Sequence, residues 1–373
     1  MRIYLLLMAI AAAVTYLATP LARTLAKRSH VLTPVRGRDV HTAPTPRLGG
    51  VAMLIGMTVA MLVASRMAFM SGVFADNLPW AILGSAGLVC LLGAADDIWD
   101  LDWMTKLAGQ VLAAGVMAWQ GVQLITFPIF GLTIGSSRLS LVVTVLVVVV
   151  AINAVNFVDG LDGLAAGLIA IGGLAFFVYT YILTRNDNPT DYSNLATMVI
   201  ACVVGVCLGF LPHNFFPARI FMGDSGAMFL GLTVAAAAIV VTGQINPAIL
   251  QTSQALPAFV PILLPVAVII LPLLDMALAV IRRTLSGKSP FQADRKHLHH
   301  RLLDHGHSHR RAVVIMYVWT FVFAFSAAAL AVFPTAWVVV GAAVGAAVAS
   351  VITVVPLPVR TSGVTGGKTP QPQ

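Results

Sequence analysis

Apolar residues run along this chain in stretches of roughly 17 to 23 positions, separated by short polar segments, almost to its end. At about 1.5 Å per residue, roughly 20 apolar residues wound as a helix cross a hydrocarbon core of about 30 Å. The pattern therefore predicts an all-α polytopic membrane protein. Eleven spans are expected, at about residues 2–22, 48–70, 79–95, 106–123, 139–155, 163–183, 195–211, 225–245, 259–281, 312–333 and 335–357. The closing stretch 358–373, rich in Gly, Pro, Thr and Gln, lacks the apolar residues to pack and is expected to be a disordered tail. Residues 1–357 then form one membrane-embedded domain.

Composition agrees, with 59% hydrophobic and 10% charged residues and a mean hydropathy of +0.92, outside the usage of soluble globular chains. Cys90, Cys202 and Cys207 all sit in apolar runs without CxxC spacing, which argues for buried thiols and against a disulfide framework or zinc knuckle.

The net charge of +8 would suit nucleic acid until its placement is read. Arg23, Lys27, Arg28, Arg36, Arg38 and Arg47 fall between the first two spans. Arg282, Arg283, Lys288, Arg295, Lys296, Arg301, Arg310 and Arg311 fall between the ninth and tenth. Eleven alternating crossings put both segments on one side, and the positive-inside rule makes that side cytoplasmic. The N-terminus is then outside, the C-terminus is cytoplasmic, and nucleic acid is not an expected partner. Arg2 before an apolar run resembles a signal peptide, but the basic segment 23–47 argues against export.

The same sorting gathers reactive groups. All nine histidines fall on the basic side, and every acidic residue is Asp. Only Asp76, Asp187 and Asp191 face outward, with Asp275 about two turns inside the ninth span. Carboxylates, imidazoles and cations thus meet at one surface, which a passive channel has no need for.

Five constellations lie there. The third span ends in Ala95-Asp96-Asp97-Ile98-Trp99-Asp100-Leu101-Asp102, where crowded carboxylates need a cation, a proton or a basic partner. Asp96 and Asp100 share a face if the helix continues, and magnesium suits such hard oxygen ligands. Asn153-Ala154-Val155-Asn156-Phe157-Val158-Asp159-Gly160-Leu161-Asp162-Gly163 offers amides, carboxylates and flexible glycines, either for a metal and a phosphate or merely as a tight polar turn. The loop around Asn214, Arg219, Phe221 and Asp224 leads into the eighth span. Taken alone, helix capping explains Asp224 and a membrane contact explains Phe221. Asp294-Arg295-Lys296-His297-Leu298-His299-His300-Arg301 lacks the HExxH or cysteine partners of a zinc site, and its cations suit phosphate better. Last, Pro46-Arg47-Leu48-Gly49-Gly50 opens the second span with a stiff approach and two glycines for close packing. Its Arg47 is either an interfacial anchor or a phosphate contact.

In this order the motifs resemble the polyprenyl-phosphate N-acetylhexosamine-1-phosphate transferases, over about residues 23–311. Within that family they look most like the bacterial undecaprenyl- or decaprenyl-phosphate GlcNAc-1-phosphate transferases. The phospho-MurNAc-pentapeptide branch is a sister, from which this chain departs at Asp100, usually Lys there, and in its HLHHRLL run.

The resemblance implies a Mg²⁺ cofactor, with Mn²⁺ as a second candidate, held by Asn156 and Asp224. It implies that Asp96 and Asp97 handle the lipid phosphate, Asp96 being the better candidate base. Asp159, Asp162, Asn214 and Phe221 match nucleoside-pocket positions, with Phe221 placed to stack on uracil. Arg47, His297, His299, His300 and Arg301 would reach the sugar and phosphates, with His299 and Asp224 counted among the catalytic groups. UDP-GlcNAc, polyprenyl phosphate and the lipid bilayer are the implied partners, a homodimer is allowed for, and the implied location is the bacterial inner membrane.

The rival classes are a transporter, whose polar groups should lie near the bilayer midplane, and a membrane zinc hydrolase. Within the family the rival is another UDP-sugar, such as UDP-MurNAc-pentapeptide.

Overall fold

The computed structural model describes residues 1–33, 44–124, 126–127, 132–133, 136–187, 194–243, 270–285, 302 and 306–355. Among these residues eleven α-helices follow in order: α1 (Arg2–Arg28), α2 (Gly49–Ala64), α3 (Leu78–Trp99), α4 (Trp103–Trp119), α5 (Ser137–Val158), α6 (Leu164–Asp187), α7 (Leu195–Asn214), α8 (Gly223–Thr242), α9 (Ile270–Leu285), α10 (His309–Ala329) and α11 (Thr335–Val354). Each overlaps one expected span. Eight are long and apolar enough to cross a membrane, the exceptions being α2, α4 and α9. The β-structure amounts to two antiparallel ladders of two-residue strands, Leu32–Thr33 with Thr45–Pro46 and Thr126–Phe127 with Leu132–Thr133. The expected tail 358–373 lies outside the described residues.

Helix boundaries moved where polar chemistry intervenes. α1 continues to Arg28, past the apolar run, because Lys27 and Arg28 suit the negative end of its dipole. α2 stops at Ala64, and Ser65 and Arg66 turn the chain into a short 3₁₀ segment at Ala68–Met70. α3 runs on to Trp99, so Asp96 and Asp97 are helical. Asp100 then closes it in the left-handed region at φ 52°. The expected shared face of Asp96 and Asp100 does not form, because the helix ends between them.

Burial sets the arrangement. Among the eight long helices α8 is the most buried, at 89% of its apolar stretch, and α11 the least, at 11%, so α8 runs through the middle of the described bundle and α11 along its outside. Lipid tails offer no hydrophobic drive between helices, so close backbone approach at small residues holds them together. On α7, a Cβ added at Gly205 or Gly209 would lie 2.3 Å from the Met8 carbonyl oxygen or 2.1 Å from that of Ala12, both on α1.

Contacts also sort many of the helix ends into two groups. At one end the backbone N–H of Asn194 donates to Tyr4 Oη at 2.8 Å, joining the starts of α1 and α7. At the other end meet the close of α3, the starts of α2, α4, α8 and α10, and the turn between α5 and α6. The C-terminus of α11 lies there too, where the guanidinium of Arg311 donates to the carbonyl of Ile352 and His307 Nε2 pairs with that of Thr353.

Candidate active site

The second end carries the chemistry. Its floor begins with two short segments zipped together. The N–H of Gly49 donates to the carbonyl of Phe221 at 3.1 Å, Gly50 to Met222 at 3.0 Å, and Phe221 returns its own N–H to Pro46 at 2.8 Å. Leu48 must adopt φ 85° to make this turn, a strained conformation that the flanking hydrogen bonds hold in place. A Cβ at Gly50 would fall 2.1 Å from the Gly226 nitrogen, so the paired glycines let α2 lie against the start of α8.

That start is capped from another helix. Met222, the residue preceding α8, supplies no side-chain cap. Instead Asp97 Oδ1 accepts the N–H of Asp224 at 3.1 Å and Oδ2 that of Ser225 at 3.2 Å. The Asp97 side chain is fully buried, and an Arg47 guanidinium nitrogen lies 3.9 Å from Oδ1. Gly223, at φ 69°, leaves room for it, since a Cβ there would meet Asp97 Oδ2 at 2.2 Å. Capping by Asp224 itself, the simple sequence expectation, is thus corrected: Asp224 lies inside the first turn, and its carboxylate is released to face outward, 24% exposed.

Beside it stand Asp96 and Lys106. Lys106 Nζ lies 2.7 Å from Asp96 Oδ2 and 3.6 Å from Asp224 Oδ2, and the two carboxyl groups are themselves within hydrogen-bonding reach. Asp96 Oδ1 is fixed by the N–H of Leu101 at 2.8 Å. Lys106 reaches this pair because Asp102 starts α4 one turn earlier, accepting the N–H groups of Met104 and Thr105. One ammonium therefore serves two adjacent carboxyl groups that also bond to each other, an arrangement that either a shared proton or a further cation in its place can complete.

The turn between α5 and α6 lines the next side. Asn214, only 2% exposed, braces it by accepting the N–H of Gly163 and donating to the carbonyl of Ile220, each at 3.0 Å. Asp162 is buried as well; its Oδ2 accepts the N–H of Ala218 at 2.9 Å, and its own N–H meets His309 Nε2 at 3.3 Å. Tyr317 of α10 donates to the Gly163 carbonyl. His309 also stacks on Phe216, with ring centroids 4.8 Å apart. The start of α10 is thereby locked to the site. Burial and the nearby Asp97 carboxylate push the Asp159 carboxyl up to about 7, Arg47 opposing and Asp162 adding to the rise. Phe221 is half-buried at the rim.

Asn156 is placed by helical spacing. One layer deeper in the bundle, Asn153 Nδ2 on α5 donates to Gln110 Oε1 on α4 at 2.7 Å, and Gln110 Nε2 approaches Met228 Sδ on α8 at 3.9 Å. Asn156, Lys106 and Asp224 lie three or four residues nearer the site on the same three helices. They therefore form the layer above.

Among the described residues no three His, Cys, Asp or Glu side chains form a metal cage. Mg²⁺ does not require one, being held by one or two carboxylates together with substrate phosphates and water. The partly exposed Asp224 carboxylate and the Asn156 amide in its layer fit that ion.

The structure thus brings Arg47, Asp96, Asp97, Asn156, Asp159, Asp162, Asn214, Phe221 and Asp224 to one end of the bundle. His297, His299, His300 and Arg301 lie outside the described residues. Lys106, which sequence reasoning left without a role, is the cation at the centre. Its signal was its place four residues after Asp102, on the face of Gln110. The three cysteines are buried and unpaired as expected.

Residues 79–242 match the profile of glycosyl transferase family 4. The chain is 43% identical to a decaprenyl-phosphate N-acetylglucosaminephosphotransferase of Mycolicibacterium smegmatis, over 93% of this chain and 87% of that protein. It is 32% identical to a probable undecaprenyl-phosphate N-acetylglucosaminyl 1-phosphate transferase of Bacillus subtilis, over 80% and 77%. It is 30% identical to a phospho-N-acetylmuramoyl-pentapeptide-transferase of Desulforudis audaxviator, over 76% and 83%. With relatives of this identity spanning most of its length, the chain belongs to glycosyl transferase family 4, among the polyprenyl-phosphate N-acetylhexosamine-1-phosphate transferases that its motifs resemble.

Proposed function

We propose that the protein transfers GlcNAc-1-phosphate from UDP-GlcNAc to undecaprenyl or decaprenyl phosphate, a first step in building a cell-envelope polysaccharide. An oxygen of the lipid phosphate attacks the sugar-bearing β-phosphorus. The bond to the bridging oxygen breaks, UMP leaves with that oxygen, and polyprenyl-diphospho-GlcNAc remains. The observation that carries this reading is the Asp96–Lys106–Asp224 group at the open end of the bundle, since phosphoryl transfer depends on positioning and charge neutralisation. The names of the 43% and 32% identical relatives support the sugar and the lipid.

Asp224 and Asn156 would hold Mg²⁺, which supplies positive charge for the diphosphate. Lys106 partly neutralises the same region. A phosphomonoester has its second pKa near 6, so the attacking oxygen needs little deprotonation at neutral pH, and Asp96 orients it. Asp97 acts through Asp224 as a positioning residue, and Asp162 and Asn214 hold the frame of the nucleoside pocket. Asp159 and Phe221 line that pocket, and Arg47 meets phosphate. His297, His299, His300 and Arg301, placed by the resemblance, reach the sugar and phosphates. The site faces the cytoplasm of a bacterial inner membrane, with eleven crossings and an outside N-terminus, a reading supported by Arg28, Arg47, Arg310 and Arg311 at that end. A homodimer is compatible with this arrangement.

The test is to incubate membranes carrying the protein with polyprenyl phosphate and radiolabelled UDP-GlcNAc, with and without Mg²⁺. Labelled lipid and UMP, both dependent on the ion, are expected. Transfer only from UDP-MurNAc-pentapeptide would move the protein to the branch of its 30% identical relative, and release of no UMP from any donor would overturn the reading.

A further inference from the structure

A polar side chain inside a membrane helix bundle needs a reason and a partner. Gln110, 2% exposed, and Asn153 supply each other's, with Asn153 Nδ2 donating to Gln110 Oε1 at 2.7 Å and to the Val149 carbonyl at 2.8 Å. The contact to Met228 extends the pair to a third helix. No residue of this layer belongs to the site above it.

The position of the pair is what gives it consequence. From Gln110 to Lys106 and from Met228 to Asp224 is four residues, about 6 Å along each helix, and from Asn153 to Asn156 is three, about 4.5 Å. All three steps lead toward the same end of the bundle, since α4 and α8 begin there and α5 finishes there. The hydrogen-bonded layer therefore sits one turn beneath the layer of Lys106, Asn156 and Asp224. Packing in lipid is otherwise made of apolar and small side chains, which tolerate small slides and rotations of one helix on another. A short amide–amide hydrogen bond tolerates neither, because it fixes distance and direction together.

Resting on the phosphotransferase reading, we infer that Gln110 and Asn153 are positioning residues, which lock the register of α4 against α5 so that Lys106 and Asn156 present their heads together opposite Asp224. A misplacement of about 1 Å at a reacting centre can cost on the order of a hundredfold in rate. Gln110→Leu and Asn153→Leu each break the amide–amide bond and leave the partner amide buried with only its weaker or local contact, to Val149 or Met228, whereas the double leucine variant removes both polar groups and isolates positioning from the burial of a half-satisfied amide.

The experiment measures kcat, KM for UDP-GlcNAc, the Mg²⁺ dependence of activity and the detergent melting temperature. It compares the wild-type protein, the double leucine variant and the reciprocal swap Gln110→Asn with Asn153→Gln. The expected result is a double leucine variant that melts as the wild type does and keeps KM within about threefold, yet loses about 10- to 100-fold in kcat. The swap, which retains an amide pair of the same total length, is expected to recover at least part of that loss. Wild-type kcat in the double leucine variant, or a loss of kcat fully matched by a lower melting temperature and unrepaired by the swap, overturns the inference. Absence of turnover in the wild type would strike the transferase reading instead. Stabilisation by Mg²⁺ in the melting assay, which needs no turnover, then decides for the pair: its loss in the double leucine variant supports the inference, and its full retention overturns it.

Discussion

Asp97 on α3 accepts the backbone N–H of Asp224 on α8, so one of two adjacent carboxylates at the end of α3 holds in place a carboxylate on another helix. Asp96, its neighbour, faces the ammonium of Lys106. Two aspartates that look equivalent in the sequence thus have separate tasks. Asp97→Asn keeps one acceptor and loses the charge that suits the positive end of α8. Turnover is expected to fall about tenfold or more, with a melting temperature lowered by a few degrees. Asp97→Ala is expected to be worse on both counts. Full activity in Asp97→Asn, measured by UMP release, would show that the cap does not set the position of Asp224.

Asn214 and Asp162 give a second test, because each matched a nucleoside-pocket position and each is buried with its polar atoms bonded to backbone. Asn214→Leu strands the Gly163 N–H and the Ile220 carbonyl, a cost of about 1–3 kcal/mol. The expected signature is a lower melting temperature, with activity falling in step. A KM for UDP-GlcNAc that rises while the melting temperature stays put would assign Asn214 to direct nucleoside contact.

The Asp159 carboxyl, raised to about 7 by burial first and by Asp97 next, ties stability to pH. Between the ordinary aspartate value near 3.9 and about 7, the folded protein holds a proton that the unfolded chain has released, so stability falls as pH rises through that window. Above about 7 the penalty is complete. Asp159→Asn keeps the shape without the charge. It is therefore expected to melt roughly 2–5 °C higher than the wild type at pH 8, with the difference shrinking toward pH 5. A difference that is constant across that range would separate Asp159 from the effect.

What could be read from the sequence was the ingredients and their gathering at one end of the bundle. Runs of apolar residues located a helix for each expected span, and the basic loops located the end at which Asp96, Asn156 and Asp224 meet. Helix termini were less legible, because Asp96 and Asp97 look like interfacial residues until α8 is seen to need a cap there. The division of labour between them depends on a contact 127 residues apart. Asn214 and Asp162 were found as positions, yet their bonds run to Gly163 and Ala218, partners chosen by the fold. Lys106 was left without a role because both of its partners are chosen by the fold. Only the arrival of Asp224 beside Asp96 gives it a second carboxylate.

That shared ammonium yields the last prediction. Lys106 Nζ is 2.7 Å from Asp96 and 3.6 Å from Asp224, so it competes for the same negative charge as any cation held by Asp224. Lys106→Met keeps most of the apolar stem and removes the charge. Two effects of opposite sign should follow. The concentration of Mg²⁺ needed for half-maximal activity should fall, because a repelling charge has gone and Asp224 is less neutralised. Maximal turnover should nevertheless drop by about a hundredfold, because a charge that helps offset the developing negative charge of the transferring phosphoryl group is missing. Lys106→Arg restores the charge with a different reach and is expected to fall between the two. A Mg²⁺ titration of UMP release from the three proteins measures both effects at once. If the half-saturating concentration rises in Lys106→Met, the ammonium assists the ion's binding, for example by holding Asp96 and Asp224 in place. The description of Lys106 as a competitor for Asp224 would then be wrong, whatever happens to turnover.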